Sequence, residues 1–312
     1  MASAAQPLVS ENKSGTACRE ESIFIPFRET DRLHLKRFCG NERGPVVFLL
    51  HGSIENGRIF YSRSGKGLAP FLASEGFDVY VADLRGRGES TPALGRKSAH
   101  GLTESIKEEI PFFLHEIKKI RGDVPMHWIA HSWGGILLLC YAARNPDKLP
   151  LSMVCFGTKR RIRISGWKKF WMVDVNYNYL FRFVTSLYGY VNVKFFRAGS
   201  DNETEKTYRQ TYKWVVYDEW KDEDGFDYSK ALKKLRLSPI LYLAASHDEV
   251  LGHHSDVKLL MEELQQPNGE FYIAGKAHGN LHNYDHITLL THPDAPKDHF
   301  PVVVKWMKDH SV

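Results

Sequence analysis

Short, predominantly apolar runs recur along the chain, each closed by a polar cluster and most followed by apolar positions at helical spacing. Pro45–Leu50, Phe77–Ala82, Met126–Ala130, Leu151–Phe156, Pro239–Ala244 and Glu270–Ala274 are such runs. Their length and their lack of strict alternation suit strands buried on both faces of a parallel sheet. Ahead of them, Ser22–Phe27 and Leu33–Phe38 alternate around the polar turn Arg28-Glu29-Thr30-Asp31 and predict an antiparallel hairpin.

Between the strands the spacing changes to that of helices. Leu68, Phe71 and Leu72 predict one over Lys66–Ser74, stopped by Gly76. Ile106, Ile110, Phe113, Ile117 and Ile120 repeat at helical intervals, with Pro111 marking a break near which the main helix begins and Gly122 its close. Helices are also expected over Trp133–Arg144, Asp256–Gln265 and about Asp294 to Asp309. Strands alternating with helices argue for a parallel α/β sheet with the hairpin on one edge.

The alternation pauses between Gly157 and Leu237, a stretch dense in aromatic residues and without strand rhythm. It reads as a cap inserted into the sheet domain. The expected organisation is a flexible tail over 1–21, a core formed by 22–157 and 238–312, and a cap over 158–237. No internal repeat or low-complexity tract interrupts this plan.

Polar clusters fall where such a sheet binds ligands, beyond the C-terminal strand ends. His51-Gly52-Ser53 follows one strand, and Ser132 follows another. Ser246-His247-Asp248-Glu249 follows a third, and a fourth leads to His278, His282 and His286. Ala130-His131-Ser132-Trp133-Gly134 approximates G-x-S-x-G, in which small neighbours let a serine sit on a strained strand-to-helix turn. A serine hydroxyl needs a general base oriented by a carboxylate. Ser132, Asp248 and His286 occur in the order that such a triad requires, with Glu249 the rival acid and His278 the rival base. Acyl transfer also needs two backbone N–H donors, here assigned to Ser53 and Trp133.

Taken together, His51-Gly52, Asp83-Leu84-Arg85-Gly86-Arg87-Gly88-Glu89-Ser90, Ala130–Gly135, Ser246-His247-Asp248, Tyr284-Asp285-His286 and Val304-Lys305-Trp306-Met307 resemble the α/β-hydrolase superfamily, nearest its lipase and esterase branch. The resemblance covers roughly residues 22–310 apart from the cap. It implies an eight-stranded sheet with its second strand antiparallel, a lid after the sixth strand and no cofactor. Two departures stand out. Ala130 replaces the elbow glycine, and His286-Ile287-Thr288 stands where related lipases often have His-Leu-Asp.

Composition narrows the function further. A hydrophobic fraction of 43% with 25% charged residues is that of a soluble globular chain, and no apolar run is long enough for a membrane span. The first 21 residues lack the apolar centre of a signal peptide, so a cytosolic location is expected. Four scattered cysteines offer neither a disulfide framework nor a cysteine zinc site, and no metal ligand is assigned. A net charge of +5 does not point to nucleic acid. In the cap, Lys159, Arg160, Arg161, Arg163, Lys168 and Lys169 interleave with Trp167, Phe170 and Trp171, a pattern able to touch an anionic lipid surface peripherally. The aromatic cap suits a wide apolar pocket over the serine. The expected activity is therefore hydrolysis of a hydrophobic, lipid-like carboxylic ester. A thioesterase or acyltransferase with the same triad is the alternative, and a non-catalytic binder of hydrophobic ligands represents a different class.

Overall fold

The computed structural model describes residues 8–11, 17–167, 171, 185, 188–194 and 199–311. Its strands are β1 (Leu8–Glu11), β2 (Ala17–Pro26), β3 (Arg32–Cys39), β4 (Val46–Leu50), β5 (Asp78–Asp83), β6 (Met126–His131), β7 (Met153–Phe156), β8 (Tyr190–Val191), β9 (Glu203–Thr204), β10 (Ile240–Ala245) and β11 (Gly269–Ala274). The principal helices are α1 (Leu68–Ser74), α2 (Ile110–Arg121), α3 (Trp133–Arg144), α4 (Glu205–Val216), α5 (Tyr228–Lys234), α6 (His254–Leu264) and α7 (Phe300–Asp309).

One sheet has the strand order β1-β2-β3-β5-β4-β6-β7-β10-β11. From β5 to β11 every pairing is parallel, and β3 runs antiparallel to both β2 and β5. Strands β2 to β11 of this order form the expected eight-stranded sheet with its second strand reversed. A ninth strand, β1, pairs Leu8–Glu11 with Ala17–Glu20. The stretch expected as a tail therefore contributes backbone pairing, and the hairpin begins at Ala17 rather than Ser22.

Burial explains why the central strands read as continuous apolar runs. Every residue of β4 is buried, because helices cover both faces. Phe48, Tyr80 and Trp128 point into a core shared with α2 and α3, whereas Val47, Leu49 and Val79 point to one shared with α1 and α7. Truncating one of these buried side chains to alanine costs about 2–5 kcal/mol.

Pro111 is the second residue of α2, and a π-helical turn, Ser105–Glu109, leads into it. Of the periodic isoleucines, Ile120 is exposed. The terminal helix starts at Phe300, later than its apolar pattern suggests. Pro296 lies in a separate 3₁₀ turn, Ala295–Lys297, before it.

The described part of residues 158–237 docks tightly. Trp214, Trp220 and Tyr228 are buried and join the core that holds Trp133. The basic run is largely turned inward. Arg160 is fully buried, with Nη2 2.6 Å from Glu263 and Nη1 donating to Trp214 O at 2.8 Å. Arg161 and Arg163 both pair with Asp218, and Lys159 is buried. Trp167 and Trp171 are exposed, while Lys168, Lys169 and Phe170 lie outside the described residues. No helix among the described residues is long and apolar enough to cross a membrane.

Candidate active site

Ser132 follows β6 directly and caps α3, with φ 51° and ψ −123°. A left-handed φ at a non-glycine residue is costly and persists only where the surroundings enforce it. Two backbone contacts do so. The Ser132 N–H donates to Phe156 O at 2.8 Å, and the Ser132 carbonyl accepts from Thr158 Oγ1 at 3.0 Å. The glycine after the turn is obligatory on steric grounds. A Cβ on Gly134 would lie 2.4 Å from Leu50 O and 2.6 Å from His51 O. The elbow position held by Ala130 is a fully buried strand residue, which a methyl group fills without strain.

Asp248 lies just past β10 and His286 on the loop after β11. His286 Nδ1 is 2.6 Å from Asp248 Oδ2. The carboxylate can only accept, so Nδ1 carries the proton and Nε2 presents its lone pair. Burial pushes the Asp248 carboxyl up, but the hydrogen bond and charge of His286 outweigh it and hold it below its usual range. Burial, reinforced by the positive His131, holds the His286 imidazole below its ordinary value despite Asp248. The structure thus brings Asp248 and His286 into contact, whereas Glu249 and His278 are exposed. Among the described residues no hydrogen bond joins Ser132 to His286.

The two assigned amides frame the same region. Trp133 opens α3, where the first N–H groups have no intrahelical acceptor, and Ser53 begins a tight turn. Neither N–H is engaged by another protein group among the described residues. A cavity of about 10 Å³ adjoins them, lined by Gly52, Ser53, Leu102, Trp133 and Thr207 among others. That is room for roughly one water, not for an acyl chain. Beside it the Trp133 indole stacks on Trp214, with ring centroids 6.4 Å apart.

Three supporting features escaped the sequence reading. Glu55 and His131 form a buried pair, with His131 Nδ1 2.7 Å from Glu55 Oε1 and Nε2 3.1 Å from His286 O. Both acceptors lack protons, so His131 carries two N–H groups and a positive charge. Accordingly Glu55 raises the His131 imidazole against the effect of burial, and His131 lowers the Glu55 carboxyl against the same effect. Glu55 also accepts the Gly52 N–H, so the pair ties the Ser53 turn to the His286 loop. A histidine at the end of an otherwise apolar strand was the available signal, since a buried polar side chain requires a partner.

The second feature is the buried Asp201, which accepts from Asn56 Nδ2 at 2.5 Å and Gly88 N at 3.0 Å. Next to it, Ser200 and Asp201 donate their N–H groups to Ile54 O at 2.9 and 3.1 Å, holding Ile54 at φ 54°. The third is the partner of Thr288. Its hydroxyl donates to Asp285 Oδ1 and accepts the Asp285 N–H, each at 2.8 Å, closing the turn around His286.

The fold that carries this site has known relatives. The chain belongs to the alpha/beta hydrolase fold family, whose sequence profile matches residues 45–293. It is 30% identical over 125 residues to the pimeloyl-[acyl-carrier protein] methyl ester esterase of Chromobacterium violaceum, covering 40% of this chain and 42% of that protein. It is 28% identical over 120 residues to human gastric triacylglycerol lipase, covering 36% of this chain and 30% of the lipase. The match therefore spans less than half the length of these curated relatives. Among solved structures, the Paleococcus ferrophilus monoacylglycerol lipase superposes with a TM-score of 0.59 at 20% identity, covering 89% of this chain and 99% of that one. A thioesterase domain from the curacin biosynthetic pathway gives 0.57 at 14% identity, covering 91% and 99%. At these identities the two structures share the fold.

Proposed function

We propose that this chain is a serine hydrolase of carboxylic esters. In this reading Ser132 Oγ attacks the ester carbonyl as His286 Nε2 takes its proton, and the Ser53 and Trp133 amides hold the resulting oxyanion. Collapse expels the alcohol, which receives that proton, and leaves an acyl-serine. Water, deprotonated by the same imidazole, then releases the acid and restores Ser132. Asp248 keeps Nδ1 protonated and stabilises the imidazolium.

The observation that carries the reading is the 2.6 Å contact of Asp248 with His286, placed at the strand ends that also present the strained Ser132. The ester-cleaving relatives support it. A hydrophobic acyl group remains the proposed substrate class, with 158–237 acting as the cap. A cytosolic location accords with the buried free thiols Cys39, Cys140 and Cys155. The proposed peripheral contact with an anionic lipid surface rests on exposed Trp167 and Trp171 rather than on Arg160.

The test is labelling with a fluorophosphonate probe, followed by turnover of a p-nitrophenyl ester series. The wild type should label at Ser132 and hydrolyse the esters, and Ser132→Ala should do neither while keeping its melting temperature. Undiminished turnover by pure Ser132→Ala protein overturns the assignment.

A further inference from the structure

Away from Ser132, the loop that carries His286 brings a second set of side chains together. His282, His292 and Asp294 each offer one ligand atom, and these atoms all lie within 4.8 Å of one another. We propose that they form a zinc-binding site that clamps the two ends of the segment bearing His286.

The donor chemistry suits that ion. Two imidazoles and one carboxylate form a common zinc set with a fourth position left for water, whereas magnesium and calcium prefer oxygen donors throughout. The residues are also close to a ligating arrangement. The His282 and His292 rings lie 4.3 Å apart, and His282 Nε2 is 2.8 Å from Asp294 Oδ2. Beneath them Tyr284 packs edge-on against both rings, at 6.2 and 5.4 Å. Its hydroxyl donates to Asp298 at 2.5 Å, so the floor of the site is fixed from the far side. The three ligands are partly exposed, which gives an ion a way in. Two contacts compete, the His282 Nε2–Asp294 Oδ2 hydrogen bond and the Asp294 N–H to His292 Nδ1 at 3.2 Å. The first gives way as both atoms turn to the ion, and the second is long, so their loss is small beside the metal–ligand bonds gained.

Position gives the site its consequence. His282 precedes His286, while His292 and Asp294 follow it beyond the short helix Thr288–Thr291. An ion bound to all three cross-links the chain on both sides of His286 and resists opening of that loop. Such a clamp follows from side-chain placement alone and stands independently of the hydrolase reading.

The experiment uses the full chain, stripped with chelator and titrated with ZnCl2 by calorimetry, alongside His292→Gln, Asp294→Asn and a His253→Gln/His254→Gln control. The control tests another close histidine pair, with centroids 4.2 Å apart. One zinc equivalent should bind the wild type and the control. Affinity should fall by about tenfold or more in the two ligand variants, as a lost ligand exceeds a lost outer-shell partner. Zinc should raise the melting temperature of the wild type but not of Asp294→Asn. Equal affinity in wild type and both ligand variants overturns the proposal, as does the absence of saturable binding. Should both variants misfold, cobalt decides with the wild type alone. Intense visible bands of four-coordinate cobalt support the site, and their absence overturns it.

Discussion

The rings of His131 and His286 lie 4.5 Å apart, tilted by 44°, and His131 donates to the His286 backbone carbonyl. A cation thus sits against the proposed base, balanced on its far side by Glu55. It lowers the proton affinity of His286 and keeps the imidazole neutral toward lower pH. Removing that cation in His131→Asn should move the acid limb of kcat/KM to higher pH. The sign follows from the base being active only when neutral. Glu55→Gln should shift the limb less, because the charges of Glu55 and His131 act on His286 in opposite directions. His131→Asn also strands a buried carboxylate, a defect of about 3–5 kcal/mol. Adding Glu55→Gln should recover part of that loss in denaturant unfolding. A pH–rate profile unchanged in His131→Asn would show that the cation does not reach the base.

Thr288 acts on His286 through the backbone. Its hydroxyl and the Asp285 carboxylate close a reciprocal turn, with Asp285 also accepting the Ile287 and Thr288 N–H groups at 3.0 and 2.7 Å. Thr288→Val preserves shape and deletes the hydroxyl, so it should cost about 1 kcal/mol, the scale of a lost cap. It should lower kcat more than it changes KM, since the imidazole is displaced rather than the ester pocket. Thr288→Ser should behave as wild type. Equal kcat for the valine and serine variants would assign the hydroxyl to stability alone.

Much of this architecture was legible in the chain. Buried strands announce themselves as apolar runs, and the polar residues that end them mark the ligand edge of the sheet. Ser132, Asp248 and His286 stand out as candidates because each closes or follows such a run. The supporting residues were hidden for a different reason. Glu55 and His131 are far apart in sequence, and no local pattern encodes their pairing. The basic run beginning at Lys159 misled because charge suggests exposure, whereas Arg160 is buried on Glu263 and two backbone carbonyls. Trp214, Trp220, Phe226 and Tyr228 similarly proved to be packing. Composition alone cannot separate a core from a pocket wall.

Asp201 links the proposed cap to the proposed oxyanion turn. Its carboxylate joins Asn56 to Gly88, while the adjacent backbone holds Ile54 in its left-handed conformation next to Ser53. Asp201→Ala should let that turn relax and misdirect the Ser53 amide. Misplacement on the scale of an ångström costs about a hundredfold in rate, so kcat/KM should fall by roughly ten- to a hundredfold. Lys194→Ala removes only the exposed partner, whose Nζ lies 2.6 Å from Asp201 Oδ1, and should leave the rate near wild type. Comparable losses in the two variants would point to a general effect of charge rather than to the turn.

His127 offers a test of stability separate from the candidate site. It is fully buried on β6, with Nδ1 2.9 Å from Ser152 Oγ and Nε2 3.1 Å from Ser311 Oγ. Burial, with a smaller contribution from His310, lowers its pKa from 6.5 to about 4. Between those values the unfolded chain binds a proton that the folded chain refuses, so acid favours unfolding. The stabilising difference is fully present above pH 6.5, declines as pH falls, and is exhausted below about 4. Its full size is roughly 3 kcal/mol. His127→Gln cannot titrate and keeps a polar group for the two serines. Its unfolding free energy in urea should therefore fall less steeply than that of the wild type between pH 7 and pH 4.5, whatever its stability at neutral pH. Parallel curves for the two proteins would mean that His127 takes up its proton in the folded state.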